Sequence, residues 1–200
     1  MKKILMGLAS VLALSVPVQS MATVYEVKAL ENSTTGGIEG GVSVAGLIAG
    51  NSFTVSVDPL DLWNSGPLPR WSNANGQTAP DLLATGLADT NGDNPGVPAN
   101  TVIGGGVFGT YTQGGLTAPF GALVGEWGNN TGNFFFIGTN FTGLALDSAL
   151  KLYYFDSNFD DNTGSILANV TAVPEPETYG MMLVGLGLMG FVARRRNNKI

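Results

Sequence analysis

Leu150-Lys151-Leu152-Tyr153-Tyr154-Phe155 is followed by Asp156-Ser157-Asn158-Phe159-Asp160-Asp161-Asn162-Thr163-Gly164 and then by Ser165-Ile166-Leu167-Ala168-Asn169-Val170-Thr171. Two apolar runs too short for helices enclose a run of Asp, Asn, Ser and Gly. That order reads as strand, polar loop, strand. Working outward, the same alternation of β-forming and turn-forming stretches predicts strands over 24–29, 41–47, 52–57, 122–126 and 133–137. Ser52-Phe53-Thr54-Val55-Ser56-Val57 alternates with period two, which predicts one buried and one wet face. Phe134-Phe135-Phe136-Ile137 is apolar at every position and is predicted to lie centrally in a sheet. No stretch of the middle region repeats apolar residues at helical spacing, so the fold class is all-β, a jelly-roll-like β-sandwich. Residues 71–119 are poor in strand signals and rich in Gly, Asn, Pro and Ala, and read as a long irregular insertion.

Composition removes several functions. Among 200 residues there is no His and no Cys. Imidazole-based catalysis, disulfides and thiolate metal sites are therefore excluded. Charged residues are only 12% of the chain and mean hydropathy is +0.20, which does not fit a disordered polyelectrolyte. The net charge of −6 hides a partition, because six of the nine basic residues are Lys2, Lys3, Arg194, Arg195, Arg196 and Lys199. Between Thr23 and Ala172, three basic residues oppose thirteen acidic ones, a charge of −10. Such a domain does not bind nucleic acid phosphates.

The ends read as addresses. Met1-Lys2-Lys3, an apolar run from Ile4 to Val18, and Ser20-Met21-Ala22 form a secretory signal peptide over 1–22, with cleavage after Ala22. The other reading, a membrane anchor, needs a longer run of ~20 residues. At the other end, Val173-Pro174-Glu175-Pro176-Glu177 precedes an apolar stretch from Tyr179 to Ala193, followed by Arg194-Arg195-Arg196. The prolines predict that a helix over 178–193 starts no earlier than Thr178. Its fifteen apolar residues span about 22 Å at ~1.5 Å per residue, short of a ~30 Å hydrocarbon core. As a short transmembrane helix it would keep the arginines cytoplasmic and the acidic domain outside.

This tail resembles the PEP-CTERM sorting signal of Gram-negative bacteria that make extracellular polysaccharide. Pro174, Glu175 and Pro176, the short helix and Arg194–Arg196 match its three parts over residues 173–200. The resemblance implies recognition by an exosortase and transit through the inner membrane. A transient anchor would be followed by release to the cell surface or extracellular matrix. A permanent single-pass anchor on a Pro-rich stalk is the other reading of the same segment.

The Asp156–Gly164 loop carries three carboxylates and two amides, which either form a solvated turn or surround calcium, a cation that takes 6–8 oxygen ligands. It is not an EF-hand, since the sixth position is Asp161 and the twelfth Leu167. Asp89-Thr90-Asn91-Gly92-Asp93-Asn94 lacks a closing carboxylate at Asn100 and reads as a polar turn. Trp63, Trp71 and Trp127 are candidates for stacking on sugar rings, with core packing the default for a Trp in a β-sandwich and the stronger reading for Trp127.

Gly66-Pro67 after an alternating strand, Trp71, Phe120-Gly121-Ala122-Leu123-Val124-Gly125 and the Asp156–Gly164 loop together resemble calcium-dependent galactophilic bacterial lectins. The likeness covers 42–171 in islands. It implies calcium ligands from the side chains of Asp156, Asp161 and Asn162, and from backbone carbonyls near Ser65 and near Asn158, or Phe159 given the shortened Asp156–Asp161 interval. That family's sugar-contacting histidine and glutamine, in the segment after Trp71, have no counterpart placed by sequence. The expected function is a calcium-dependent carbohydrate-binding module, not an enzyme, with extracellular polysaccharide as a partner. The alternative is a structural matrix protein whose calcium only stabilises the fold.

Overall fold

The computed structural model describes residues 22–87, 96–128, 132–173 and 176–197. The expected signal peptide up to residue 21, the Asp89–Asn94 turn, Pro174, Glu175 and Lys199 lie outside the described residues. In chain order the strands are β1 (Ala22–Lys28), β2 (Val42–Val44), β3 (Ser52–Ser56), β4 (Trp63–Asn64), β5 (Trp71–Ser72), β6 (Leu82–Leu83) and β7 (Val102–Gly104). They continue as β8 (Thr110–Gln113), β9 (Leu116–Pro119), β10 (Ala122–Trp127), β11 (Phe134–Phe136), β12 (Asn140–Leu144), β13 (Leu150–Phe155) and β14 (Thr163–Ala172). One helix, α1, spans Pro176–Asn197.

Strand β14 organises the first sheet. Along one edge it pairs antiparallel with β1, Lys28 opposite Ser165 and Ala22 opposite Thr171. Along the other it pairs with β4 at Thr163 and Gly164, and with β3 from Asn169 to Ala172. Strand β12 extends this sheet beyond β3, and β5 extends it beyond β4. The second sheet is antiparallel in the order β11-β10-β13-β2. Between the two lies the main core, with Val27, Phe53, Val55, Ile166, Ala168 and Val170 from the first sheet against Val44, Leu123, Leu150, Leu152 and Tyr154 from the second. The alternation read in β3 holds, since Phe53 and Val55 are fully buried while Ser56 faces water.

Two expectations about the second sheet need correction. Phe134–Phe136 is an edge strand, not a central one, with Phe136 exposed. It is apolar on both faces because Phe135 stacks on Trp127 towards the main core while Phe134 packs into a second cluster with Ala118, Val124, Tyr153 and Phe155. The cover over that outer face comes from the β8–β9 hairpin, within the stretch read as irregular. The same stretch also contains the β6–β7 ribbon, whose Ile103 packs with Trp71 and Ala84.

Helix α1 starts two residues earlier than predicted. Pro176 is its first residue, where the missing N–H removes no helical hydrogen bond. Among the described residues, no helix is long and apolar enough to cross a membrane. Along α1, Met182, Leu183, Val184, Leu186, Leu188, Met189 and Phe191 are all exposed.

Phe53 meets Trp127 edge-on at 5.5 Å and Phe141 at 5.4 Å between ring centroids, with nothing of its side chain in water. Truncating it to Ala removes contacts from both sheets and is expected to cost about 3–5 kcal/mol in urea unfolding. Leu60→Ala, at an exposed position, should stay within about 0.5 kcal/mol.

Candidate functional site

Strand β13 ends in a buried carboxylate. Asp156 follows Phe155 directly and is only 4% exposed. The chain then turns through Ser157–Asp161, where Asn158 Oδ1 accepts from the Asp160 amide and the Asn162 amide donates to the Phe159 carbonyl at 3.1 Å. It enters β14 at Thr163, opposite Asn64 of β4. That register brings the β4–β5 turn, Ser65–Arg70, against the acidic loop.

Gly66 makes the closest approach. A Cβ there would lie 2.5 Å from Asp161 Oδ2, and its φ of +125° is a conformation side-chain-bearing residues avoid. The Gly66 amide donates to Asn64 Oδ1 at 3.1 Å, which fixes the turn. Arg70, at the end of the same turn, places Nη1 3.7 Å from Asp161 Oδ2 and its guanidinium 5.1 Å above the Phe108 ring. Both charged groups are about two-fifths exposed, so the pair contributes little to stability, ~0–1 kcal/mol.

Behind the turn sits Gln77, almost fully buried. Its Nε2 donates to Ser65 Oγ and to the Arg70 carbonyl, the latter at 2.9 Å, while its Oε1 has no hydrogen-bond partner. Asn162 is arranged alike. Its Nδ2 donates to the Ala29 carbonyl at 3.2 Å and its buried Oδ1 is unpartnered. Buried acceptors without donors are uncommon in folded proteins, and two flank one acidic loop here.

The result is an open cavity of about 320 Å³ lined by Ser65, Arg70, Gln77, Phe108, Phe120, Asp156, Asn158 and Asp161, together with Ser157. That volume is at the small end of ligand sites. Burial raises the Asp156 carboxyl to about 6; the Ser157 and Asn158 amides and Asn162 pull it down, and the Asp161 charge pushes it further up. Burial, and next the Asp156 charge, likewise push the Tyr154 hydroxyl up, so it stays protonated.

Of the residues selected from sequence, Ser65, Asp156, Asn158 and Asp161 line this one cavity. Asn162 lies buried at the root of the loop. The Ser65 hydroxyl accepts from Gln77 Nε2. Sequence reading missed Arg70, Gln77, Phe108 and Phe120. Sugar stacking by Trp63 or Trp71 is overturned. Trp63 is fully buried, edge-on to Tyr154 at 4.5 Å, with its Nε1 donating to the Gly121 carbonyl at 2.7 Å, and Trp71 is buried with Ile103. No group of three or more His, Cys, Asp or Glu able to hold a metal occurs among the described residues. This cavity has two carboxylates, and its remaining side-chain oxygens belong to two amides and two hydroxyls.

The second feature is the tail, a helix with exposed apolar side chains running into exposed Arg194 and Arg195. Residues 172–196 are a PEP-CTERM protein-sorting motif. The motif implies export and transient membrane anchoring in an exosortase pathway, with an exosortase as processing partner. No curated protein matches the chain. The chain is similar to a solved structure described as "EclA N-terminal domain; PllA-like lectin", at a TM-score of 0.42 and 16% identity, covering 77% of this chain and 98% of that one.

The raised Asp156 carboxyl has a testable sign. Its native value lies above the ordinary carboxylate value, so the native state holds a proton that the unfolded state gives up between pH ~4 and ~6. Metal-free protein should therefore lose stability, by about 3 kcal/mol, as pH rises through that window. Urea midpoints at about pH 4 and about pH 7 measure it, and Asp156→Asn should flatten the difference.

Proposed function

We propose that the chain is an exported, exosortase-processed binding module, not an enzyme, whose cavity holds calcium and through it the hydroxyls of a carbohydrate. The observation that carries this reading is the desolvated Asp156 carboxylate gathered in one cavity with Asp161 and the unpartnered Gln77 amide oxygen, with the buried, unpartnered Asn162 Oδ1 at the root of the same loop. Hard oxygen donors around a partly dehydrated carboxylate suit calcium. Asp156, Asp161 and Asn162 would hold the ion, with Ser65 and Asn158 beside it. When bound, calcium supplies open coordination positions for vicinal hydroxyls. Gln77 and Arg70, which line the cavity, would hydrogen-bond a sugar, and Phe108 and Phe120 would cover its C–H face. Were Asp161 to hold the ion, Arg70, now 3.7 Å from that carboxylate, would be available to a ligand.

The tail reading completes the proposal. Fifteen apolar residues are short for a bilayer, and local thinning and snorkelling of the arginines accommodate the mismatch at modest cost. A short, apolar, exposed helix suits a temporary hold in the inner membrane of a Gram-negative cell better than a permanent one. The destination is then the cell surface or polysaccharide matrix.

One observation favours a structural alternative. The Arg70 guanidinium already sits over Phe108 and beside Asp161, occupying the wall a sugar would use. Calorimetry of the exported chain separates the two. Calcium is expected to raise the melting temperature by mass action, and galactose or a bacterial exopolysaccharide to release heat only once calcium is present. Heat with calcium and none with sugar supports the structural alternative. No response to calcium in wild type, or an unchanged one in Asp156→Ala, contradicts both.

A further inference from the structure

We propose that the end of the sandwich bearing Ile48, Leu144 and Leu146 rests on the lipid bilayer, so that the cavity faces away from the membrane. This rests on the reading of the tail as a membrane anchor. Strand β14 has one end in each function. Its first residues, Thr163 and Gly164, carry β4 and the cavity. Its last, Ala172, already belongs to the sorting motif, which begins at that residue. The Val173 amide still donates to the Ser52 carbonyl at 2.8 Å, so the sheet holds the chain up to the residue before Pro174. Nine strand steps of ~3.3 Å separate the two ends by about 30 Å.

The tether leaves little slack. Helix α1 begins at Pro176, and three residue steps from Val173 reach at most about 11 Å. Whatever surrounds Val173 is therefore held within that distance of the anchor. The register shows what surrounds it. Leu144, the last residue of β12, lies opposite Ser52. The loop before β3 and the loop after β12 are tied by Gly50 N to the Ala145 carbonyl and Ala145 N to the Asn51 carbonyl, at 2.8 and 2.9 Å. On these loops Ile48, Leu144 and Leu146 are 64, 59 and 74% exposed, beside a half-exposed Val173. Trp127 ends β10 opposite Leu150 at the same end, half-buried against Phe53. β1 also starts there, Ala22 opposite Thr171, so both processing junctions leave the domain from one pole.

Apolar side chains lying at the foot of a short tether are suited to the boundary between headgroups and acyl chains, where partial insertion shields them from water. Charge does not draw the domain down. Its residues 23–172 carry −10 and Asp147 sits within the patch, so anionic headgroups repel it, and salt, by screening that repulsion, should not weaken the contact. Leu60, 60% exposed, follows the opposite end of β3 and marks the far pole.

The chain has no cysteine, so single labels report cleanly. The full chain, exported in a host without an exosortase, is reconstituted in phosphatidylethanolamine–phosphatidylglycerol vesicles with an environment-sensitive fluorophore at Leu146→Cys or Leu60→Cys. The expected result is a blue shift and loss of most emission to spin-labelled lipid at position 146, not diminished by salt, and neither effect at position 60. Quenching at 60, with or without 146, overturns the orientation. No quenching at 146 in protein that floats with the vesicles overturns the proposal and leaves the anchor standing. A blue shift at 146 that persists in detergent points to a second copy covering the patch and also overturns it. Protein that does not float with vesicles removes the anchor reading together with the proposal.

Discussion

Antiparallel pairing of β14 along both edges is the constraint from which the rest follows. With β1 on one side, β4 and β3 on the other, and Asp61 Oδ2 accepting the Leu167 amide in the gap between those two, its backbone groups find partners and its side chains are sorted to two faces. A slip of one residue would turn Ile166, Ala168 and Val170 out of the core, so the register is strongly specified. The same register sets Thr163 opposite Asn64 and thereby brings Gly66 against Asp161. Core packing and cavity geometry are two consequences of one strand alignment.

Within that frame the cavity holds groups that do not favour stability. A carboxylate taken almost entirely out of water, next to a second acid and near two unsatisfied amide oxygens, costs folding free energy. A solvated turn would have pointed these groups outward. Proteins retain such local costs where a ligand offsets them, and a divalent cation matches the donor set in charge and in hardness. The aromatic rings of Phe108 and Phe120 give the cavity an apolar wall that a bare metal clip would not need. This is why the binding reading is preferred to the structural one.

Much of the fold was legible because the strand signals were local. Leu150–Phe155 has the bounds expected from its sequence, since Asp156 ends the apolar run abruptly. Strand β12 was missed because Asn140 and Gly143 read as turn residues. Gly143 is there for packing, as a Cβ would come within 2.8 Å of the Phe141 ring. Phe134–Phe136 misled because apolar residues on both faces signal two covered faces, and this signal does not distinguish a neighbouring strand from an overlying hairpin. In the cavity, Asp156, Asp161 and Ser65 could be picked out by residue type and resemblance. Arg70, Gln77, Phe108 and Phe120 could not, because four separate connections deliver them through long-range pairing that no local pattern encodes.

The central claim is that a cation enters the space between Asp156 and Asp161, and terbium luminescence tests it most directly. Terbium occupies calcium-type oxygen sites, and Tyr154, whose hydroxyl feels the Asp156 charge, with Trp63 at 4.5 Å from its ring, would be the sensitisers. Excitation of the aromatic rings should give saturable terbium emission that calcium displaces and that Asp161→Ala abolishes while the fold persists. Emission that is absent, or that survives both calcium and the Asp161→Ala change, would contradict the claim.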